Sequence, residues 1–149
     1  LYSDVLLSGY YVLMNGYGWY FWLKGGVRTS DDELQVSHIP SQALLFATAI
    51  TIIGTLLMGW FFASQTDADL PYWDAFTTAA SFTAMWMTAR KYLENWVVWL
   101  IVDIVASVIY LVKGIEFYAL LYFVYLAMAV MGFNAWRQSM SAAAVSPSR

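Results

Sequence analysis

Hydrophobic residues in this chain are collected into five long runs, and short polar segments separate one run from the next. Within residues 119–127 apolar side chains follow one another without strand-like alternation, which favours helices over strands. Each run is close to the roughly 20 residues that a helix needs to cross a hydrocarbon core. The pattern therefore predicts an all-α membrane protein with transmembrane helices at residues 5–23, 43–64, 72–89, 96–112 and 117–136.

Basic residues fall mostly on one side once the predicted helices alternate across a membrane. That side carries Lys24, Arg28, Arg90, Lys91, Arg137 and Arg149, and only Lys113 falls on the other. Because Lys and Arg are enriched in cytoplasmic loops, we predict a multi-pass protein of a bacterial inner membrane, with residues 25–42 as a cytoplasmic loop and a cytoplasmic C-terminus. Residues 138–149 are small and polar, and are predicted to form a disordered tail.

The composition limits the chemistry that such a bundle can perform. Of 149 residues, 61% are hydrophobic and only 11% are charged, whereas soluble domains carry about 25% charged residues. Seven Lys and Arg residues cannot form the basic footprint of a nucleic-acid binder. There is no Cys, a single His and no Gly-rich phosphate loop, so we predict no metal, no cofactor and no catalytic nucleophile. The sequence therefore favours a non-enzymatic membrane protein.

The first predicted helix resembles the last when the two are aligned at one constant offset. Tyr11 falls on Tyr125, Met14 on Met128, Gly18 on Gly132 and Trp22 on Trp136. Because the two helices have the same predicted orientation, the repeat is parallel. It predicts a 3+1+3 plan in which residues 1–24 are the last helix of a first three-helix bundle, 43–64 a linker helix and 72–137 the second bundle. Two further helices are then expected before residue 1.

The fourth predicted helix carries a carboxylate deep inside the span, at Asp103. An ionisable group there costs at least about 2.5–3.5 kcal/mol on insertion scales, so a functional role is the default interpretation. Trp96, Trp99 and Asp103 follow steps of three and four and share one helix face. Two indoles and a carboxylate suit a flat heteroaromatic ligand. The alternative is an interfacial aromatic belt, with Asp103 hydrogen-bonded to a neighbouring helix.

Aromatic and polar stripes on the first and last helices are predicted to face inward. They make Tyr11, Asn15, Trp22, Tyr122 and Tyr125 candidate substrate contacts. A carboxamide within a span must find partners, and Asn15 offers both donors and acceptors to a ligand. The tyrosines alternatively bridge helices. Gly18 and Gly132 are interpreted as sites of close helix approach, and the hydroxyl residues of the third helix as contacts between helices.

Three motifs give the chain a family resemblance over nearly its whole length. Residues 15–22 read NGYGWYFW, residues 71–74 read PYWD, and residues 90–99 read RKYLENWVVW. These motifs resemble the PnuC nicotinamide riboside transporters. The resemblance implies a SWEET-like arrangement of seven spans, a homotrimer with one pathway per protomer, and facilitated diffusion of nicotinamide riboside. It also implies a cytosolic nicotinamide riboside kinase that phosphorylates the nucleoside and so retains it.

The resemblance also implies where the substrate binds. The family's site, carried onto this chain, centres on Trp96, Trp99 and Asp103, and Asn15, Tyr122 and Tyr125 join it by position. Relatives of similar fold resemble thiamine or riboflavin carriers, so these vitamins are alternative substrates. A further alternative is a membrane subunit that binds the ligand without transporting it.

Overall fold

The computed structural model describes residues 2–24 and 35–145, apart from the side chains of residues 2–7, 22, 24 and 143. Within these ranges the chain is all-helical except for short connections. The helices are α1 (Tyr2–Lys24), α2 (Ser41–Gln65), α3 (Pro71–Ala89), α4 (Asn95–Val112) and α5 (Glu116–Val145). All the helices that the hydrophobic pattern predicts are therefore present, and their bounds differ from the predicted ones mainly at the end of α5.

The C-terminal part of α5 differs from the prediction of a disordered tail over residues 138–149. The helix continues without interruption to Val145, and residues 146–149 lie outside the described range. The extension is rich in Ala, the strongest helix former, and Pro147 is the first residue after it that opposes a helix. The small and polar residues of this segment indicated where the membrane-spanning part of α5 ends, but they did not indicate where the helix ends.

Helix α3 lies at the centre of the described bundle. It packs against α1, α2 and α4, while α5 packs against α4. Small side chains allow this crowding, and those that are buried in α3 include Ala75, Ala79, Ala80 and Ala84. The hydroxyl groups of the helix donate to carbonyl oxygens one turn back, as Ser81 does to Thr77 at 2.7 Å. A helix shielded by three others can therefore carry polar groups without exposing them to lipid.

Three helices are long and apolar enough, by length and composition, to cross a membrane. They are α2, α4 and residues Glu116–Ala142 of α5, in a search of the described residues. Helices α1 and α3 were also predicted as spans but fall below that hydropathy. For α3 the reason is its central position, since apolar side chains are needed most where a helix faces lipid.

Two contacts group the ends of the helices on opposite sides of the bundle. At one end, the segment before α2 pairs with the α3–α4 connection, where the Ser37 amide donates to the Lys91 carbonyl (3.1 Å) and the Leu93 amide donates to the Ser37 carbonyl (2.9 Å). At the other end, Lys113 at the C-terminus of α4 forms an ion pair of 3.2 Å with Asp74 in the first turn of α3. This grouping agrees with helices that alternate in direction.

Candidate functional site

A cavity of about 350 Å³ lies where α1, α3, α4 and α5 meet, and it is called the chamber below. Its lining residues are Tyr11, Ser81, Trp96, Trp99, Val102, Asp103, Tyr122, Tyr125, Met128 and Ala129. Helices α1 and α5 make no direct packing contact with each other in the described part of the chain. The chamber therefore separates these two helices, and α3 and α4 supply its remaining walls.

Helix α4 supplies the chemically distinctive wall. Trp96, Trp99 and Asp103 all line the chamber, as expected for residues that share a helix face. Asp103 is only 5% exposed, and its carboxylate has no hydrogen-bond or ion-pair partner among the described residues. The alternative in which Asp103 bonds to a neighbouring helix is therefore absent from this part of the structure. The carboxylate instead presents its acceptors to the chamber.

A hydrogen-bond network holds the Trp99 indole against α3. The Trp99 Nε1–H donates to the Thr88 hydroxyl at 3.1 Å. The same hydroxyl lies 3.0 Å from the Asn95 Oδ1 and 2.8 Å from the Ala84 carbonyl, to which it can donate. The Asn95 Nδ2 in turn donates to the Tyr92 carbonyl at 2.6 Å. Because Asn95 is fully buried, this network fixes both the position and the orientation of Trp99.

Packing, rather than hydrogen bonding, places the Trp96 indole against α5. Its ring meets the Trp136 ring edge to face, with centroids 5.3 Å apart and an interplanar angle of 84°. The Trp96 Nε1 is buried and has no hydrogen-bond partner among the described residues. Gly132 lies directly beneath the outer ring atoms of the indole. The two indoles of the chamber are therefore held by different interactions and by different helices.

Tyrosines also line the chamber, and the row that they form continues beyond it. Tyr122 and Tyr125 meet edge to face at 5.6 Å. Tyr110 of α4 stacks on Tyr122 at 5.4 Å and on Tyr118 at 5.2 Å. This aromatic row runs along the α4–α5 contact and supplies the chamber with flat apolar faces that carry hydroxyl groups.

Two of the predicted contact residues are not placed at the chamber. Asn15 is exposed and is absent from the lining. Helix α1 packs on α3 through the face that carries Tyr10, whose hydroxyl donates to the Phe82 carbonyl at 3.0 Å, and Asn15 is turned further from that face than Tyr11 is. The side chain of Trp22 lies outside the described residues.

Four lining residues were not predicted as ligand contacts. Ser81 was interpreted only as a contact between helices, whereas the other three, Val102, Met128 and Ala129, are apolar and offer no polar group to a ligand. Met128 lies one helical turn after Tyr125, so the stripe on α5 contained the information needed to find it. Ser81 could not be predicted as a lining residue without the position of α1, because it lines the chamber together with Tyr11 of that helix.

A helical bundle with membrane-span candidates around a chamber of this kind is typical of a membrane transporter. Residues 1–138 match the nicotinamide mononucleotide transporter family. The chain belongs to this family, which confirms the predicted relationship to the PnuC transporters. The family is one of transporters rather than enzymes, in agreement with the prediction from composition.

Individual relatives agree with this assignment. The nicotinamide riboside transporter PnuC of Escherichia coli (strain K12) is 28% identical over 164 residues, which cover 93% of this chain and 68% of that protein. The riboflavin/roseoflavin transporter RibM of Streptomyces davaonensis is 27% identical over 121 residues, which cover 80% of this chain and 57% of that protein. Both relatives are named as transporters.

A solved structure shares the fold. The crystal structure of the vitamin B3 transporter PnuC superposes with a TM-score of 0.67 at 23% identity, and the match covers 89% of this chain and 60% of that one. The chain thus spans about 60% of the length of that solved relative. The arrangement of α1–α5 is therefore that of a PnuC-type bundle over the matched part.

Proposed function

We propose that this protein carries nicotinamide riboside across a bacterial inner membrane by facilitated diffusion and that the chamber is its substrate site. The observation that carries the proposal is the convergence of Trp96, Trp99 and Asp103 on one cavity with Tyr11, Tyr122 and Tyr125. Membership of the transporter family and the likeness to the E. coli nicotinamide riboside transporter support it. Asn15 and Trp22 remain predicted contacts.

The chemistry of the lining suits this substrate. Nicotinamide riboside carries a flat, positively charged pyridinium ring, a carboxamide and a ribose. A cationic ring is attracted to indole and phenol faces and to a carboxylate, which Trp99, Tyr122 and Asp103 supply. The Asp103 carboxylate also accepts hydrogen bonds from ribose hydroxyls or the carboxamide. A chamber of about 350 Å³ lies at the small end of ligand sites and suits one nucleoside.

The proposed architecture is a SWEET-like 3+1+3 bundle of transmembrane helices that rocks around the chamber. Residues 1–24 close the first three-helix unit, residues 43–64 link the units, and residues 72–137 form the second. Two features support this plan: α2 packs only on α3 among the described helices, and the repeat partners Tyr11 and Tyr125 line the same chamber. Alternating access then exposes the chamber to one side at a time.

The proposal includes partners outside the chain. Phosphorylation by a cytosolic nicotinamide riboside kinase traps the substrate, because it adds charge that prevents return through the carrier. The C-terminus lies in the cytoplasm, and the protein is a homotrimer in the lipid bilayer with one pathway in each protomer. The many exposed apolar side chains of α2 and α5 provide the surface for lipid and for neighbouring protomers.

Other vitamins are the second candidate substrates. The riboflavin/roseoflavin transporter RibM is 27% identical over the part of this chain that it matches, and thiamine, like nicotinamide riboside, carries a positively charged ring. The three fused rings of riboflavin need more space than one nucleoside, and riboflavin has no positive charge to offset that of Asp103. The chamber therefore favours the smaller cationic ligands.

Uptake into proteoliposomes tests the proposal. Labelled nicotinamide riboside should enter by a saturable process, and internal nicotinamide riboside kinase with ATP should raise the final amount retained. Unlabelled thiamine and riboflavin should compete more weakly than unlabelled nicotinamide riboside. Asp103→Asn, which keeps the size of the side chain but removes its charge, should weaken uptake of nicotinamide riboside. The absence of saturable uptake would overturn the proposal, and binding without counterflow would indicate a subunit that does not transport.

A further inference from the structure

The contact between Gly132 and Trp96 goes beyond ordinary helix packing. A Cβ atom built on Gly132 would lie 2.5 Å from the Cη2 of the Trp96 indole and 2.6 Å from its Cζ2 and Cζ3. The indole therefore rests on the backbone of α5, in a space that only glycine leaves open. The helical pattern predicted a close helix approach at Gly132, but the group that approaches it is a side chain.

Among the described residues, no polar contact of the indole holds Trp96 in this position. Its Nε1 has no partner among the described residues, and its remaining neighbour of note is the edge-to-face ring of Trp136. The location of the indole is therefore set by shape, and the shape of the α5 surface is set by Gly132. Trp96 is at the same time one of the residues that line the chamber.

We infer that Gly132 is a positioning residue for the substrate site: it seats the Trp96 indole against α5 and so sets the width of the chamber. This inference rests on the proposed function, since the width matters only if the chamber binds the substrate. Ala at position 132 displaces the indole from α5 and narrows the chamber. Because Ala favours helices more than Gly does, the substitution perturbs the seat without weakening α5.

A double-mutant cycle in lipid nanodiscs tests the inference, with binding of nicotinamide riboside measured by titration calorimetry. Gly132→Ala should weaken binding about tenfold in the protein that contains Trp96. In the Trp96→Phe background the same change should cost less than about twofold, because Phe lacks the outer ring atoms that meet Gly132. Gly16→Ala is the matched control, since a Cβ there has no neighbour within 4 Å, and it should bind like the wild type.

Two binding results would overturn the inference. One is a Gly132→Ala protein that binds like the wild type, and the other is an equal loss in the presence and absence of Trp96, which would assign the effect to helix packing. A ligand-free measurement keeps this test separate from the proposed function. Near-ultraviolet circular dichroism should change on Gly132→Ala and not change in the Trp96→Phe background. If the wild type does not bind nicotinamide riboside, the proposed function fails, while the spectra still decide whether Gly132 seats Trp96.

Discussion

The two indoles of the chamber lie three residues apart on α4 and are held in opposite ways. Trp99 donates to Thr88 of α3 in a network that includes the buried Asn95. Trp96 rests on Gly132 of α5 with its own Nε1 unpaired within the described residues. Hydrogen bonds depend on the direction and distance between two polar atoms, whereas packing depends on the fit between two surfaces. The comparison indicates that the α3 side of the chamber is fixed by polar contacts and the α5 side by shape.

Replacing Asn95 with Ala is expected to have the largest effect, because the buried Asn95 carboxamide contacts both the Thr88 hydroxyl and the Tyr92 carbonyl. Buried groups left without partners cost about 1–3 kcal/mol, and the Thr88 hydroxyl that accepts from Trp99 loses one of its own partners. We expect loss of saturable uptake together with a lower apparent melting temperature of the purified protein. Asn134→Ala, at an exposed position of α5, should change neither quantity. Wild-type uptake and stability in Asn95→Ala would show that neither transport nor folding depends on the hydrogen bonds between Asn95 and Thr88.

Thr88→Val separates the Trp99 hydrogen bond from the rest of the network. Valine keeps the shape of threonine but removes the acceptor for the Trp99 Nε1–H, which leaves a buried donor unpaired. We expect binding of nicotinamide riboside to weaken roughly five- to tenfold with a smaller loss of thermal stability. The control is Thr48→Val, because Thr48 is exposed and its hydroxyl donates to the carbonyl of Leu44 one turn back in the same helix. Equal affinity of the two variants would contradict the role assigned to Thr88.

Trp136→Leu tests the side that depends on shape. An edge-to-face aromatic pair contributes about 0.5–1.5 kcal/mol beyond the area it buries, so the Trp96 indole should become less well ordered. We expect binding about threefold weaker, measured by the same titration, and near-ultraviolet dichroism of lower intensity. Trp60→Leu removes an indole that is 64% exposed and should leave affinity unchanged. An effect of Trp136→Leu as large as that of Asn95→Ala would remove the contrast between the two sides.

Lys113→Gln should have the smallest effect, because the ion pair with Asp74 lies at one end of the bundle and outside the lining of the chamber. A partly exposed ion pair of this kind contributes about 0–1 kcal/mol. We expect a slightly lower melting temperature, a difference that shrinks in high salt, and unchanged affinity for nicotinamide riboside. A clear loss of affinity would show that the two ends of α3 and α4 are coupled to the chamber.

Much of the fold could be predicted from the sequence, because each helix that crosses a lipid bilayer needs its own long run of apolar side chains. The predicted spans coincide with α1–α5, and the face of α4 that carries Trp96, Trp99 and Asp103 was predicted by helical periodicity alone. Hydropathy was less informative for α3, whose neighbours shield it from lipid, and for the end of α5, where the helix outlasts the hydrophobic run.

The candidate site was predicted less completely than the fold, because a cavity depends on how faces of different helices meet. Periodicity identified Tyr11 and Asn15 as members of one stripe, yet only Tyr11 reaches the chamber. In the sequence, Ser81 cannot be distinguished from the other hydroxyl residues of α3. In the structure, it lines the chamber beside α1. The rotation of each helix about its axis decides such cases, and that rotation results from packing with neighbours.

The sequence by itself determined that the protein is a helical membrane protein, which residues form its helices, and that a carboxylate and two indoles share one face of α4. These properties follow from the local pattern of polar and apolar side chains, which acts within a single helix. Only the tertiary structure decided that Thr88 and Asn95 anchor Trp99, that Gly132 lies beneath Trp96, and that Asp103 lines a cavity without a partner in the described part of the chain. Those facts depend on distances between helices, and the order of polar and apolar residues along the chain does not give these distances.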